Sequence, residues 1–352
     1  MLAIDGHLDL AYNALWFNRD LKKSVAEVRA WEADMTGKGR ACNTVCLPDM
    51  RRGEVFTCFA TVCARHATGF KTSIDFSPEG AHAVAHGQLA YYRILERQGV
   101  LRQLTNWAGV ETHLAAWQAS PQTAPIGYVL CIEGADSLIE PDEIFVWAKE
   151  GLRVLSLSHY GPSHYAHGTN TTGGLFPPAR PLLAGMEQLG IVLDLTHTSD
   201  DSFWEALEVF HGRVIATHNN SRALVPRQRQ FTDDQIRAIV ERDGVIGIAL
   251  DDWMLHTDFE IQHPRPELVS LETAVDHIDY ICELAGSARH VAIGTDLDGG
   301  FGTEQSPRNL DTIADLQKFV HLLRSRGYAE ADVEAFMHGN WLRLLRETMP
   351  KA

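Results

Sequence analysis

What constrains this chain most is a slow rhythm: a short apolar run, a polar residue at or just past its end, a loop, and then an amphipathic stretch of helical period. Eight such runs can be read, at 2–4, 54–62, 126–132, 152–157, 191–195, 214–216, 245–250 and 291–293. Helical patterns lie between them at 79–98, 142–149, 181–189, 200–210, 232–242, 271–285 and 311–326. Thr232-Asp233-Asp234-Gln235 opens one of these with side-chain acceptors where the first exposed amides need them. Strands alternating with helices form parallel βαβ units, and about eight of them predict an α/β protein of the (β/α)8 TIM-barrel type. The second strand is the ambiguous one, because 42–47 competes with 54–62. No linker, charge block or short repeat divides the chain, so residues 1–352 are expected to form one barrel domain with a C-terminal helical extension.

Composition narrows the partners. A net charge of −15 with only 31 Lys and Arg offers no basic surface for nucleic acid. The six cysteines (Cys42, Cys46, Cys58, Cys63, Cys131, Cys282) form no CxxC pair and read as reduced, mostly buried thiols. No apolar run approaches the roughly 18 residues of a membrane span. The start lacks the basic segment, apolar core and cleavage site of a leader, so the expected location is cytoplasmic.

In a barrel of this kind the chemistry sits at the C-terminal ends of the strands. Those ends read His7-Leu8-Asp9, Glu133-Gly134, Ser158-His159, Thr196-His197, Thr217-His218 and Thr295-Asp296. Each has an ordinary explanation. Two residues apart on a strand, His7 and Asp9 share a face, yet His7 could simply hydrogen-bond near the N-terminus and Asp9 cap a turn. A lone histidine after a strand is more often a buried imidazole than a ligand, and Glu133 or Asp296 could cap the turns that follow. Independent burial needs would not, however, place six such positions at equivalent strand ends. Imidazoles with carboxylates and no cysteine favour zinc or a similar borderline divalent ion over calcium. The ligand count exceeds what one tetrahedral catalytic ion with an open position requires, and two ions bridged by a carboxylate fit it better.

Taken in order, Asp5-Gly6-His7-Leu8-Asp9, Glu133-Gly134-Ala135-Asp136, the LSLSH ending at His159, the LGIVLDLTH ending at His197, ATHNNSRAL around His218, RQFTDDQIRAI from Arg229, GTDLDGG around Asp296 and HGNWLRLLRE near the end resemble the membrane dipeptidase (renal dipeptidase) family of amidohydrolase-type metal barrels. The resemblance covers nearly the whole chain. It implies that His7 and Asp9 bind one zinc, that His197 and His218 bind a second, and that Glu133 and a hydroxide bridge the two Zn2+ ions. It further implies that His159 contacts substrate and the developing oxyanion, that Arg229 pairs with the substrate carboxylate, and that Asp296 is the acid–base group. A homodimer is implied by the resemblance alone.

The implied reaction is hydrolysis of a dipeptide, L,D-dipeptides among them. A hydroxide bridging two ions attacks the scissile carbonyl, and Asp296 carries the proton to the leaving amine. A related amidohydrolase acting on N-acyl amino acids or lactams needs the same metal site and is the alternative within enzymes. A non-catalytic metal-binding protein would have no use for Asp296 and His159 beside the ligands. Arg222 and Arg227 compete with Arg229 for the carboxylate role. His164 and His167, in a loop unlike that of the vertebrate enzymes, read as rim residues that bear on substrate preference. Thr217, where serine is common before the ligand, reads as a conservative change. Asp194 and Asp298 read as supporting carboxylates, while Trp16, Phe17 and Trp253 are divided between pocket lining and ordinary packing.

Overall fold

The computed structural model describes residues 1–66 and 75–352. All eight apolar runs form strands: β1 Ala3–Leu8, β2 Val55–Cys63, β3 Ile126–Glu133, β4 Leu152–Ser156, β5 Val192–Asp194, β6 Val214–Ile215, β7 Ile246–Ile248 and β8 Val291–Ile293. The ambiguity at the second strand resolves in favour of the later run. All nine residues of Val55–Cys63 are buried, whereas Leu47–Arg52 is a helix started by Pro48.

Strands β1 to β6 pair in chain order in one parallel sheet, and β7 pairs with β8. A parallel bridge between Ala216 and Ile246 joins β6 to β7. The remaining seam, between β8 and β1, is closed by side chains. Thr295 donates its amide and its hydroxyl to the Asp5 carboxylate at 2.9 and 2.6 Å. Trp341, from the C-terminal helix Asn340–Thr348, donates its indole N–H to the Ile293 carbonyl at 2.7 Å and packs against Phe59 of β2. Gly6 of β1 makes room for it, since a Cβ there would lie 2.4 Å from the Trp341 ring. The result is a closed (β/α)8 barrel.

The helices follow the predicted ones with small shifts, and Thr232 and Gln235 form the full capping box of helix Asp233–Glu241. The predicted helix at 311–326 is divided into a 3-10 turn Ile313–Gln317 and helix Lys318–Ser325. Helices Leu10–Trp16, Val25–Trp31 and Trp107–Ala119 were not anticipated. In Trp107–Ala119 the apolar residues lie all round rather than on one face, which hides the helical period. Among the described residues, no helix is long and apolar enough to cross a membrane.

Candidate active site and metal centre

Glu133 is the last residue of β3, and four other candidates follow a common rule: His159, His197, His218 and Asp296 each lie three residues past the end of their strand. His7 is on β1, but Asp9 is already past the strand, at the start of helix Leu10–Trp16. Two of these positions have unusual backbones. His197 and Asp296 occupy the left-handed region with φ of 67° and 59°, a conformation that costs a non-glycine residue free energy and tends to mark functional sites.

The side chains converge on Glu133. Its Oε1 lies 3.3 Å from His197 Nε2 and 3.4 Å from His218 Nε2, while its Oε2 lies 3.8 Å from Nε2 of both His7 and His159. His7 Nε2 is also 4.0 Å from Asp9 Oδ2 and 3.8 Å from Asp296 Oδ1. Apart from His159 and Asp296, which keep part of their surface open to the pocket, the cluster is buried. His7 Nε2 and Asp9 Oδ1 are buried without a hydrogen-bond partner among the described residues, an arrangement that costs about 1–3 kcal/mol per atom unless something else satisfies it.

Charge balance points the same way. Burial, reinforced by neighbouring carboxylates, pushes the Glu133 and Asp296 acids well above the usual range. Asp9 is raised to about 7 by burial and by Asp298. Burial, with Arg229 adding to it, drives His7 down to about 3, and burial also holds His197 and His218 far below the usual histidine range. Lone pairs crowd one point with little positive charge to stabilise them. A divalent cation would meet both needs, so this donor set fits a metal.

The two histidines facing Glu133 Oε1 are oriented by hydroxyls. Thr217 donates its hydroxyl hydrogen to Asp194 at 2.6 Å, so its oxygen accepts from Nδ1–H of His218 at 3.0 Å. Asp194 is held in turn by the amides of Thr196 and Thr217. Thr169 stands 2.9 Å from His197 Nδ1 and leans its hydroxyl toward the His197 carbonyl. With the proton on Nδ1, each ring presents an Nε2 lone pair to the centre, the tautomer a ligand needs. Thr217 therefore serves the same purpose a serine hydroxyl would, and Asp194 acts through it.

The three arginines separate cleanly. Arg222 forms a two-pronged pair with Asp200 at 2.7 and 2.8 Å. Arg227 caps the carbonyls of Trp253, Thr257 and Phe259 and lies over the Trp253 ring. Arg229 is buried, donates one nitrogen to the His218 carbonyl at 2.9 Å, and keeps Nη1 without a hydrogen-bond partner among the described residues. It lines a cavity of about 610 Å³ together with Glu133, His159, Asp296 and Trp253; Arg227 also borders this cavity, but with its Nε and Nη2 committed to the carbonyls.

The remaining candidates fall outside the cluster. His167 bonds the Gly174 carbonyl through Nδ1, and His164 packs edge-on against Tyr165. Trp16 stacks on Tyr12, and Phe17 lies beneath Arg19 and Arg40, so Tyr12 rather than either of them reaches the pocket. Asp298 accepts from the Thr44 amide and hydroxyl and from the Val45 amide, tying the loop after β8 to that before the helix Leu47–Arg52. Sequence reasoning missed Cys63 and Arg65 at the end of β2, where a run of apolar residues hides the one thiol that faces Glu133. All six cysteines are free thiols, with Cys42 and Cys282 only half-buried.

With this geometry, the family model for membrane dipeptidase (peptidase family M19) matches residues 1–351. The chain belongs to that family. A dipeptidase described as a metallo peptidase of family M19 superposes with a TM-score of 0.80 at 24% identity, covering 100% of this chain and 99% of the other. A metallo peptidase from Rhodobacter sphaeroides, solved with a phosphinate mimic of the dipeptide L-Ala-D-Ala, superposes at 0.79 and 24% identity over 99% of each chain. At such identities the likeness carries the fold. By sequence, dipeptidase aclJ of Aspergillus oryzae is 30% identical over 199 residues, 55% of this chain and 45% of its own length. An uncharacterised protein of the pqqA 5' region of Klebsiella pneumoniae is 33% identical over 180 residues, which is 51% of this chain and 63% of its own.

Proposed function

We propose that this M19 family member is a zinc-dependent dipeptidase with a two-ion centre. The observation that carries the proposal is the division of Glu133 between two ligand groups, Oε1 toward His197 and His218 and Oε2 toward His7. His7, Asp9 and Glu133 would hold one ion, and His197, His218 and Glu133 the other. When bound, such a pair lowers the pKa of a bridging water by many units and so supplies a hydroxide nucleophile near neutral pH.

The protein's own groups do the rest. The unpartnered Nη1 of Arg229 lies where it can bind a terminal carboxylate, which fixes the substrate end and limits its length. His159 donates to the oxygen of the scissile carbonyl as charge develops there. Asp296, in its carboxylate form, takes a proton from the attacking water and, once protonated, returns it to the leaving amine. Substrates with a D-residue at the C-terminal position belong in the proposal because the Rhodobacter sphaeroides relative was solved with a mimic of one.

The decisive experiment combines elemental analysis with a substrate panel. Two zinc ions per chain are expected, with hydrolysis of L,L- and L,D-dipeptides that disappears on chelation and returns with zinc. Inactivity on every dipeptide alongside turnover of N-acyl amino acids or lactams would replace this reading with the related amidohydrolase one.

A further inference from the structure

We infer that Arg65 is a positioning residue that fixes the proton of His159 on Nε2, keeping this imidazole a hydrogen-bond donor and withholding it from metal coordination. The inference deepens the dipeptidase reading and rests on it for the role given to His159. Arg65 lies two residues past β2 and is 4% exposed. Its Nη1 donates to the Tyr160 carbonyl at 2.9 Å and lies 3.1 Å from His159 Nδ1. A guanidinium has donors and no acceptor, so Nδ1 must be the acceptor in that contact. In a neutral ring the single proton is then on Nε2, the atom that faces Glu133 and the pocket.

The contrast with the neighbouring rings gives the arrangement its meaning. His197 and His218 have hydroxyl oxygens at Nδ1, which accept and leave Nε2 as a lone pair. His159 has a cationic donor there, which produces the opposite tautomer. Chemically similar imidazoles, with ring centroids of His159 and His197 only 4.3 Å apart, are thereby sorted into ligands and donor.

Sorting is needed because position alone would not exclude His159. Ligand atoms of Cys63, Glu133 and His159 all lie within 4.8 Å of one another, close enough to hold a further ion. An ion at His159 Nε2 would have to displace the proton while Nδ1 stays committed to Arg65, leaving an imidazolate. Losing Arg65 would free the ring to bind a metal with Cys63 and Glu133, and the oxyanion would lose its donor.

The test uses the full-length protein with ¹⁵N-labelled histidine. In the wild type, metal-free and zinc-loaded, the His159 signals should report an unprotonated Nδ1 and a protonated Nε2. In Arg65→Met that preference should disappear, kcat should fall by about 10²–10³ with a smaller change in KM, and zinc titration should show a third equivalent that inhibits. Arg65→Lys should restore the tautomer and part of kcat, and Arg65→Met/Cys63→Ser should lose the third equivalent. A protonated Nδ1 in the wild type, or an Arg65→Met enzyme with unchanged tautomer and kcat, overturns the inference. The wild-type spectrum decides the tautomer even if Arg65→Met does not fold. Because tautomer and zinc stoichiometry are read without substrate, failure of the dipeptidase reading alone would leave them intact and is distinguishable.

Discussion

At the scale of single residues, the site depends on groups one step removed from the chemistry. Thr217 passes the order of Asp194 to His218, so Thr217→Val should leave the fold intact and weaken metal binding by about 10- to 100-fold in a competition titration with a chelator. Asp296→Asn keeps size and position but removes the carboxylate proposed as proton acceptor. It should retain its metal by elemental analysis while kcat falls by about 10²–10⁴; unchanged turnover would remove Asp296 from the mechanism. Arg229→Met abolishes the buried charge proposed to bind the substrate carboxylate. A loss of about 2–5 kcal/mol in substrate recognition is expected, read as a fall in kcat/KM, with little change for an analogue whose carboxylate is amidated.

At the scale of elements, the segment after β1 is tied together by an ion network. Arg19 makes two bonds to Glu32 at 2.9 and 3.0 Å, bonds Asn13 at 2.7 Å and contacts the Gly39 carbonyl, and Arg40 adds a third bond to Glu32 at 2.9 Å. Asn13 in turn donates to the Asp9 and Asp298 carbonyls, which links the network to both Asp9 and the turn after Asp296. Burial alone would raise the Glu32 carboxyl, but the hydrogen bonds from Arg19, Ala41 and Arg40 outweigh it and hold the group below the usual range. A depressed folded-state pKa means that the stability from Glu32 is fully present above the unfolded value of about 4.3 and is lost as pH falls through the folded value. Arg19→Met leaves a buried carboxylate short of its partner and should cost about 3–5 kcal/mol in urea denaturation at pH 7. In that variant only the Arg40 and Ala41 bonds still hold the carboxyl down, so the loss of stability on acidification should be smaller; a parallel pH dependence in both proteins would refute the account.

At the scale of the whole molecule, closure of the barrel is a side-chain event at one seam. Strands β8 and β1 are held by Asp5 and Thr295 and by Trp341, which is fully buried and reaches β1, β2 and β8 together. Trp341→Ala removes both the packing and the indole bond and should destabilise by about 3–5 kcal/mol. Because the seam brings Asp296 beside His7, metal retention during unfolding should fall in the same transition; two separated transitions would show that the C-terminal helix is not part of the barrel's cooperative unit.

The sequence by itself determined the order of the eight strands and the residue types at their ends, because apolar periodicity and the side-chain chemistry of His, Asp and Glu are local properties. It could not separate Arg222, Arg227 and Arg229 by chemistry, since all three are the same residue within eight positions. Only the fold spends two of them on Asp200 and on carbonyls and leaves the third with a nitrogen uncommitted among the described residues. The supporting set was legible only in part, in Asp194 and Thr217. Thr169 meets His197, and Arg65 meets His159, across 28 and 94 positions of the chain that no spacing encodes. Which nitrogen of each histidine faces the centre is a matter of what stands behind the ring, and that is decided by tertiary contacts.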